Sequence, residues 1–387
     1  MSKLFSPWQI GGQQLAHRVV LAPLTRYRCD DEWVPLPIAK GLSCPRLAFT
    51  PSRLTLLADY YAQRACLPGT LLITEATIIS LQHAGRRNVP GIWSQAQVKA
   101  WRDIVEAVHA RDCLIFCQLW AQGRAGHIEA LESAGARLMS SSAVPLSGEG
   151  KLVPEEMTEH DIATTIEEYA AAARNAMDAG FDGVEVHGGN GYLPDQFLQD
   201  TCNKRTDAWG GSIENRCRFH LEVMRAVVNA IGSERSAVRL SPWSDYLDML
   251  MPDPVPTFKQ LVAEMKTLKL AYLSLIEARI SGNDDTLVAE DKDVGFLVRE
   301  WDNTSPVILA GGFTAEGARE AVDVKYPAYD VAIAFGRHFI SNPDLVFRVK
   351  ESIEMANYDR SVFYTPKLAK GYTDYDYSPQ FSAMQVK

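Results

Sequence analysis

Short apolar runs of four to six residues recur along the chain, separated by stretches with helical periodicity. The runs are Val19 to Ala22, Leu71 to Thr74, Cys113 to Gln118, Gly183 to His187, Ala237 to Leu240, Ala271 to Leu275, Val307 to Ala310 and Val331 to Phe335. Between them lie amphipathic stretches such as Gln97 to Ala110, Glu159 to Ala179, Ile213 to Ile231 and Phe258 to Leu268. Eight strands alternating with helices predict an α/β fold, a (β/α)8 TIM barrel with all strands parallel. A doubly wound sheet is the alternative, but no Gly-x-Gly-x-x-Gly turn follows any of the runs.

Two stretches fall outside the alternation. Leu4 to Leu15 reads as an N-terminal hairpin turning at Gly11-Gly12 and capping the barrel bottom. Residues 120–157 form a long polar excursion after the third strand, with glycines at 123, 126, 135, 148 and 150. A connection that long on the catalytic face is usually functional. No repeat of solenoid length appears, so residues 1–387 are read as a single domain.

Composition narrows the partners. A formal charge of −9 and a pI near 5.5 argue against nucleic acid or an anionic membrane surface. No segment is apolar enough for long enough to span a bilayer. Met1 to Trp8 lacks the apolar core of a secretory signal, and Met384 to Lys387 is not a Ser-Lys-Leu address. Seven scattered cysteines without a Cys-x-x-Cys pair fit reduced thiols in a cytoplasmic protein. Cys113 and Cys117 flank Leu114-Ile115-Phe116 and read as core thiols.

In such a barrel the working residues sit at the C-terminal ends of the strands. Those ends carry Pro23-Leu24-Thr25, Thr74-Glu75-Ala76, Gln118-Leu119-Trp120, His187, Arg239, Gly311-Gly312 and Gly336-Arg337. Loops after strands 7 and 8 often hold phosphate, and there Arg337 adds a charge-assisted contact. A tight strand-to-helix turn is the plainer explanation of Gly311-Gly312. Arg239 on a strand is a buried cation needing an anionic partner. That partner is either a carboxylate such as Glu185 or a cofactor that gains negative charge. After Gly183-Val184-Glu185-Val186-His187, the glycines crowd His187, Asn190 and Tyr192 onto one rim. Two donors and a phenol suit polarising a carbonyl and protonating the neighbouring carbon. A core His and a turn Asn remain the bland alternative. Trp209 to Arg216 reads as structure, with Ser212 as the N-cap of the next helix.

Together these segments resemble the Old Yellow Enzyme family of flavin-dependent ene reductases. The resembling residues are His17 to Arg26, Leu72 to Thr77, Gln118 to Trp120 with Gly123-Arg124, His187 to Phe197, Gly210 to Arg216, Arg239 to Pro242 and Phe335 to Arg337. The pattern is similar to members of the 12-oxophytodienoate reductase type and to fungal chanoclavine-aldehyde reductases of secondary metabolism. The resemblance implies non-covalent FMN, NADPH or NADH as hydride donor, an enone or enal substrate, and a monomer or homodimer. It places Pro23, Leu24, Thr25, Ala76 and Gln118 on the flavin ring and Arg239 at its N1 and O2. Gly311, Gly312, Gly336 and Arg337 would hold the phosphate. His187 and Asn190 would bind the substrate carbonyl, Tyr192 would donate the proton, and Trp120, Phe363 and Tyr364 would shape the pocket. A Phe at that tyrosine accompanies isomerisation in the ergot-type relatives, so Tyr192 favours net reduction.

Two departures stand out. Residues 39–57 form an atypical insertion after strand 1, either a lid that restricts bulky substrates or a translated intron. Gly188-Gly189 replaces less flexible residues and is expected to loosen the turn to Asn190. The competing functions are a flavin-free barrel enzyme acting on a phosphorylated small molecule, and a non-catalytic relative. The first leaves Thr25, Gln118 and Arg239 unexplained; for the second, every catalytic position is filled.

Overall fold

All eight apolar runs form strands, and each strand is parallel to its neighbours. They are β1 (Val19–Leu21), β2 (Leu71–Ile73), β3 (Leu114–Trp120), β4 (Gly183–His187), β5 (Ser236–Leu240), β6 (Tyr272–Ile276), β7 (Val307–Ala310) and β8 (Val331–Phe335). Sequential strands pair, β8 pairs with β1, and β2 pairs with β3, so the sheet closes into the expected (β/α)8 barrel. The computed structural model describes residues 2–36, 55–278, 280–281, 284–285 and 292–385. Residues 39–54 of the expected insertion lie outside the described residues. Its last three residues start a helix: Thr55 caps the buried α1 (Leu56–Arg64) by accepting from the Ala58 N–H.

The outer layer is α1, α2 (Gln95–His109), α3 (Glu159–Asp178), α4 (Ile213–Ile231), α5 (Val255–Met265), α6 (Gly295–Trp301), α7 (Ala315–Glu320) and α8 (Leu345–Glu351). Three starts show why the helices begin where they do. Ser94 with Gln97, and Thr158 with Asp161, form reciprocal capping boxes. Ser212 accepts from the Asn215 N–H at 3.3 Å, the structural role its position predicts.

Strand alternation divides the interior. Val184 and Val186, Val238 and Leu240, Leu273 and Leu275 face the helices, together with the buried thiols Cys113 and Cys117. The opposite face points into the barrel. At the bottom it is apolar, with Val20, Ile73, Phe116, Ala237, Tyr272 and Ile308 packed against Trp8, Ile10 and Leu15. The last three belong to the expected hairpin, Trp8–Ile10 against Gln13–Leu15, which closes the barrel floor. One layer higher the same alternation turns inward Gln118, Glu185, Arg239 and Ser274, all buried.

The excursion after β3 is more ordered than a polar loop. It holds a helix at Ile128–Ala134, stopped by left-handed Gly135, and a short parallel pair of Met139–Ser140 with Glu155–Glu156. Among the described residues no helix is long and apolar enough to cross a membrane.

Candidate active site

A cavity of about 760 Å³ opens at the C-terminal ends of the strands. Every site residue named from sequence lines it. Pro23, Leu24 and Thr25 come from the loop after β1, Ala76 from that after β2, and Gln118 and Trp120 from β3. His187 ends β4, Asn190 and Tyr192 follow it, and Arg239 rises from β5. Gly311, Gly312, Gly336 and Arg337 follow β7 and β8, while Phe363 and Tyr364 arrive from the C-terminal arm.

The floor is a polar layer with a net unmet demand. Gln118 Nε2 donates to Glu185 Oε1 at 2.7 Å. Among the described residues Arg239 Nη1 is buried without a hydrogen-bond partner. Burial lowers the Arg239 pKa, and the nearby Glu185 carboxylate acts against that shift. Among the described residues the two make no direct ion pair. The alternatives left open from sequence therefore resolve in part: Glu185 supplies the field of a counter-ion but no bond, and a donor is left for something in the cavity.

His187 is 6% exposed, and its Nδ1 has no partner among the described residues. Burial, reinforced by the Arg239 charge, pushes its pKa down to about 3, so the ring is neutral near pH 7. A neutral imidazole carries one N–H and can donate to an uncharged carbonyl. Tyr192 stands edge-on to it, with ring centroids 4.9 Å apart, and edge-on to Trp120 at the same separation. Burial pushes the Tyr192 phenol well above its ordinary value, and Tyr246 adds to the shift. The phenol therefore stays protonated.

The turn that presents these groups is pinned rather than loose, contrary to the reading of Gly188-Gly189 from sequence. The Gly188 N–H donates to the Arg239 carbonyl, and the Gly188 carbonyl meets His220 Nε2, each at 2.9 Å. Asn190 lies in the left-handed region at φ 55°, and its N–H donates to Ser241 Oγ at 2.6 Å. Next, the Gly191 N–H donates to Asp195 Oδ2 at 2.8 Å, and Gln199 Nε2 donates to Oδ1 at the same distance. Burial pushes the Asp195 pKa up to about 7. Glycine at 188 and 189 permits close approach to the β5 backbone, and neighbouring bonds remove the freedom it brings.

The C-terminal arm is tied down by two buried arginines. Arg26 Nε donates to the Phe363 carbonyl at 3.1 Å and Nη2 to the Gly371 carbonyl at 2.7 Å. Arg28 Nη1 adds a second bond to Phe363, at 2.8 Å. Phe363 is thereby held at 5% exposure, while Tyr364 remains 42% exposed at the cavity mouth. Sequence reasoning missed Tyr27, Arg86, His127, Tyr246 and Tyr358, which complete the walls. They sit in loops at no regular spacing from a strand. The only advance signal was the length of the excursion, which supplies His127.

Fold and site define a barrel oxidoreductase of the flavin-binding kind. The chain matches the NADH:flavin oxidoreductase / NADH oxidase family over residues 43–356 and belongs to that family. It is 52% identical to the NADP-dependent oxidoreductase lnbE of Aspergillus flavus, over 98% of this chain and 97% of that one. It is 50% identical to the chanoclavine-I aldehyde reductase fgaOx3 of Penicillium roqueforti, over 98% of each. Its fold matches an Old Yellow Enzyme from Pichia sp. AKU4542 with a TM-score of 0.85 at 34% identity, covering 98% of this chain and 94% of the other. The Old Yellow Enzyme resemblance seen in the sequence therefore holds, with FMN as its cofactor.

The residues present fit that group. FMN has a heterocyclic edge needing both donors and acceptors, and the cavity floor offers the unpartnered Arg239 and the Gln118 amide. Gly311 and Gly312 have φ of 131° and 61°, so no side chain need stand between their amides and a phosphate.

Proposed function

We propose that this chain reduces the C=C bond of α,β-unsaturated aldehydes and ketones, with NADPH or NADH as donor. The observation that carries this reading is the neutral, buried His187 with an unpaired ring nitrogen, set beside Asn190 and a protonated Tyr192 on one cavity wall. Bound FMN would supply the hydride, refilled from the nicotinamide in a separate half-cycle. Arg239 and Gln118 would hold its polar edge, Pro23, Leu24, Thr25 and Ala76 its ring, and Gly311, Gly312, Gly336 and Arg337 its phosphate.

His187 and Asn190 donate to the substrate carbonyl oxygen, held between them. As hydride reaches the β-carbon, negative charge grows on that oxygen, and two preorganised donors favour this over the ground state. Tyr192 then passes its proton to the α-carbon. Its raised pKa keeps that proton in place until the carbanion develops. Trp120, Phe363 and Tyr364 wall the cavity with aromatic surface suited to a flat conjugated substrate. All these residues come from one chain, so a monomer or a homodimer serves equally. The 50% identical chanoclavine-I aldehyde reductase supports an aldehyde of secondary metabolism as the natural substrate.

The test is product analysis after incubating the purified protein with NADPH and cinnamaldehyde. The saturated aldehyde is expected. Cinnamyl alcohol, or no consumption of several enones and enals, would overturn the proposal.

A further inference from the structure

Glu185 lies behind the cavity-lining Gln118 and carries a carboxyl group that the proposed chemistry does not use. It projects inward from the middle of β4 and is 0% exposed. Burying a carboxylate there is costly unless its field or its bonds do something. Burial raises the Glu185 pKa; the Arg239 charge, the Gln118 amide and the Tyr272 and Ser274 hydroxyls act against that shift, although among the described residues neither hydroxyl makes a well-aligned bond to its second oxygen.

Its first oxygen fixes an orientation. A carboxylate only accepts, so the Gln118 amide must turn its NH2 toward Glu185, at 2.7 Å. The Gln118 carbonyl is then the end of the amide turned away from Glu185, and Gln118 lines the cavity. On the other side, Glu185 is level with Ala237, so Arg239 stands one inward position higher on β5. Glu185 thus lies level with Gln118 and one inward position beneath Arg239, and it touches only the first of them.

We propose that Glu185 is a positioning residue with two effects: it aims the Gln118 carbonyl at the cofactor, and its charge moderates the hold of Arg239 on the reduced cofactor. The proposal rests on the FMN reading of the cavity. A reduced flavin gains negative charge, which Arg239 favours and Glu185 opposes. Removing the Glu185 charge leaves Arg239 unopposed and raises the reduction potential.

The experiment measures the two-electron midpoint potential and the FMN dissociation constant of the holoenzyme, of Glu185→Gln and of Glu185→Asp. Glu185→Gln keeps the shape and an acceptor for Gln118. Its reduced-to-oxidised equilibrium is expected to rise about tenfold, an upward shift of roughly 30 mV. Glu185→Asp keeps the charge but draws back from Gln118. It should hold the wild-type potential and bind FMN several-fold more weakly. Equal potentials in all three proteins, or a shift in the Asp variant as large as in the Gln variant, overturn the proposal. If Glu185→Gln does not fold, unchanged FMN affinity in Glu185→Asp overturns it. A wild-type protein that binds no FMN removes the underlying reading itself, a failure seen before any variant is made.

Discussion

His187 and Tyr192 meet edge to face, with ring centroids 4.9 Å apart and planes at 69°. The contact fixes the phenol relative to the imidazole through ring packing, which does not depend on the phenolic hydroxyl. Tyr192→Phe should therefore keep the geometry and lose only the proton. Reduction of the enzyme by NADPH is expected to be unchanged, while substrate reduction slows by about 10²–10⁴. Separate stopped-flow measurements of the two half-reactions check this. An unaltered second half-reaction removes Tyr192 as the donor.

Asn190 calls for a substitution that respects its backbone. At φ 55°, alanine would add strain, whereas glycine removes the side chain and keeps the turn. Asn190→Gly should lower kcat by about 10²–10³, the usual loss of one oxyanion donor. Circular dichroism and FMN content should not change. A variant that retains full kcat would show that His187 alone holds the carbonyl.

Gly311 has φ 131°, and a Cβ built there would lie 3.0 Å from the Glu277 Cβ. Gly311→Ala must shift the loop after β7 or accept strain of about 1–3 kcal/mol. Weaker FMN retention is expected, read as faster loss of flavin fluorescence quenching on dilution. Retention equal to wild type would place the phosphate elsewhere.

Asp195 links the turn to pH. Its carboxyl is raised from 3.8 to about 7 in the folded protein, chiefly by burial. Between those values the native state binds more protons than the unfolded chain, so this group's contribution to stability is lost as pH rises toward 7. Asp195→Asn cannot titrate and also loses one acceptor. The stability advantage of wild type over this variant should therefore shrink as pH rises from about 5 to about 7.5, by at most about 1.4 kcal/mol per pH unit. Urea melts at the two pH values measure it, and a growing advantage contradicts the assignment.

Much of this arrangement was legible in advance because barrel strands have period two. Apolar runs marked β1 to β8, and polar residues at inward positions, Gln118, His187 and Arg239, marked the cavity. The insertion boundary was less legible: Leu56 and Leu57 read as loop but begin α1. Arg86 and Tyr246 were invisible because their direction is set by loop paths and tertiary contacts. The tightness of Gly188-Gly189 was hidden for a related reason. Glycine shows what a backbone is free to do, and only the bonds to Arg239, His220 and Ser241 show what it does. Glu185 was visible as a counter-charge for Arg239, but its bond to Gln118 needs the register between β3 and β4.

The most direct measurement of the central claim follows two labels into the product. Wild-type protein is given cinnamaldehyde with NADPH deuterated at its transferable hydrogen, and separately with unlabelled NADPH in D2O. Mass spectrometry and NMR then locate the deuterium. The nicotinamide label is expected on the β-carbon and the solvent label on the α-carbon of the saturated aldehyde. Nicotinamide deuterium on the carbonyl carbon would mean that the C=O bond is reduced instead, and would contradict that claim.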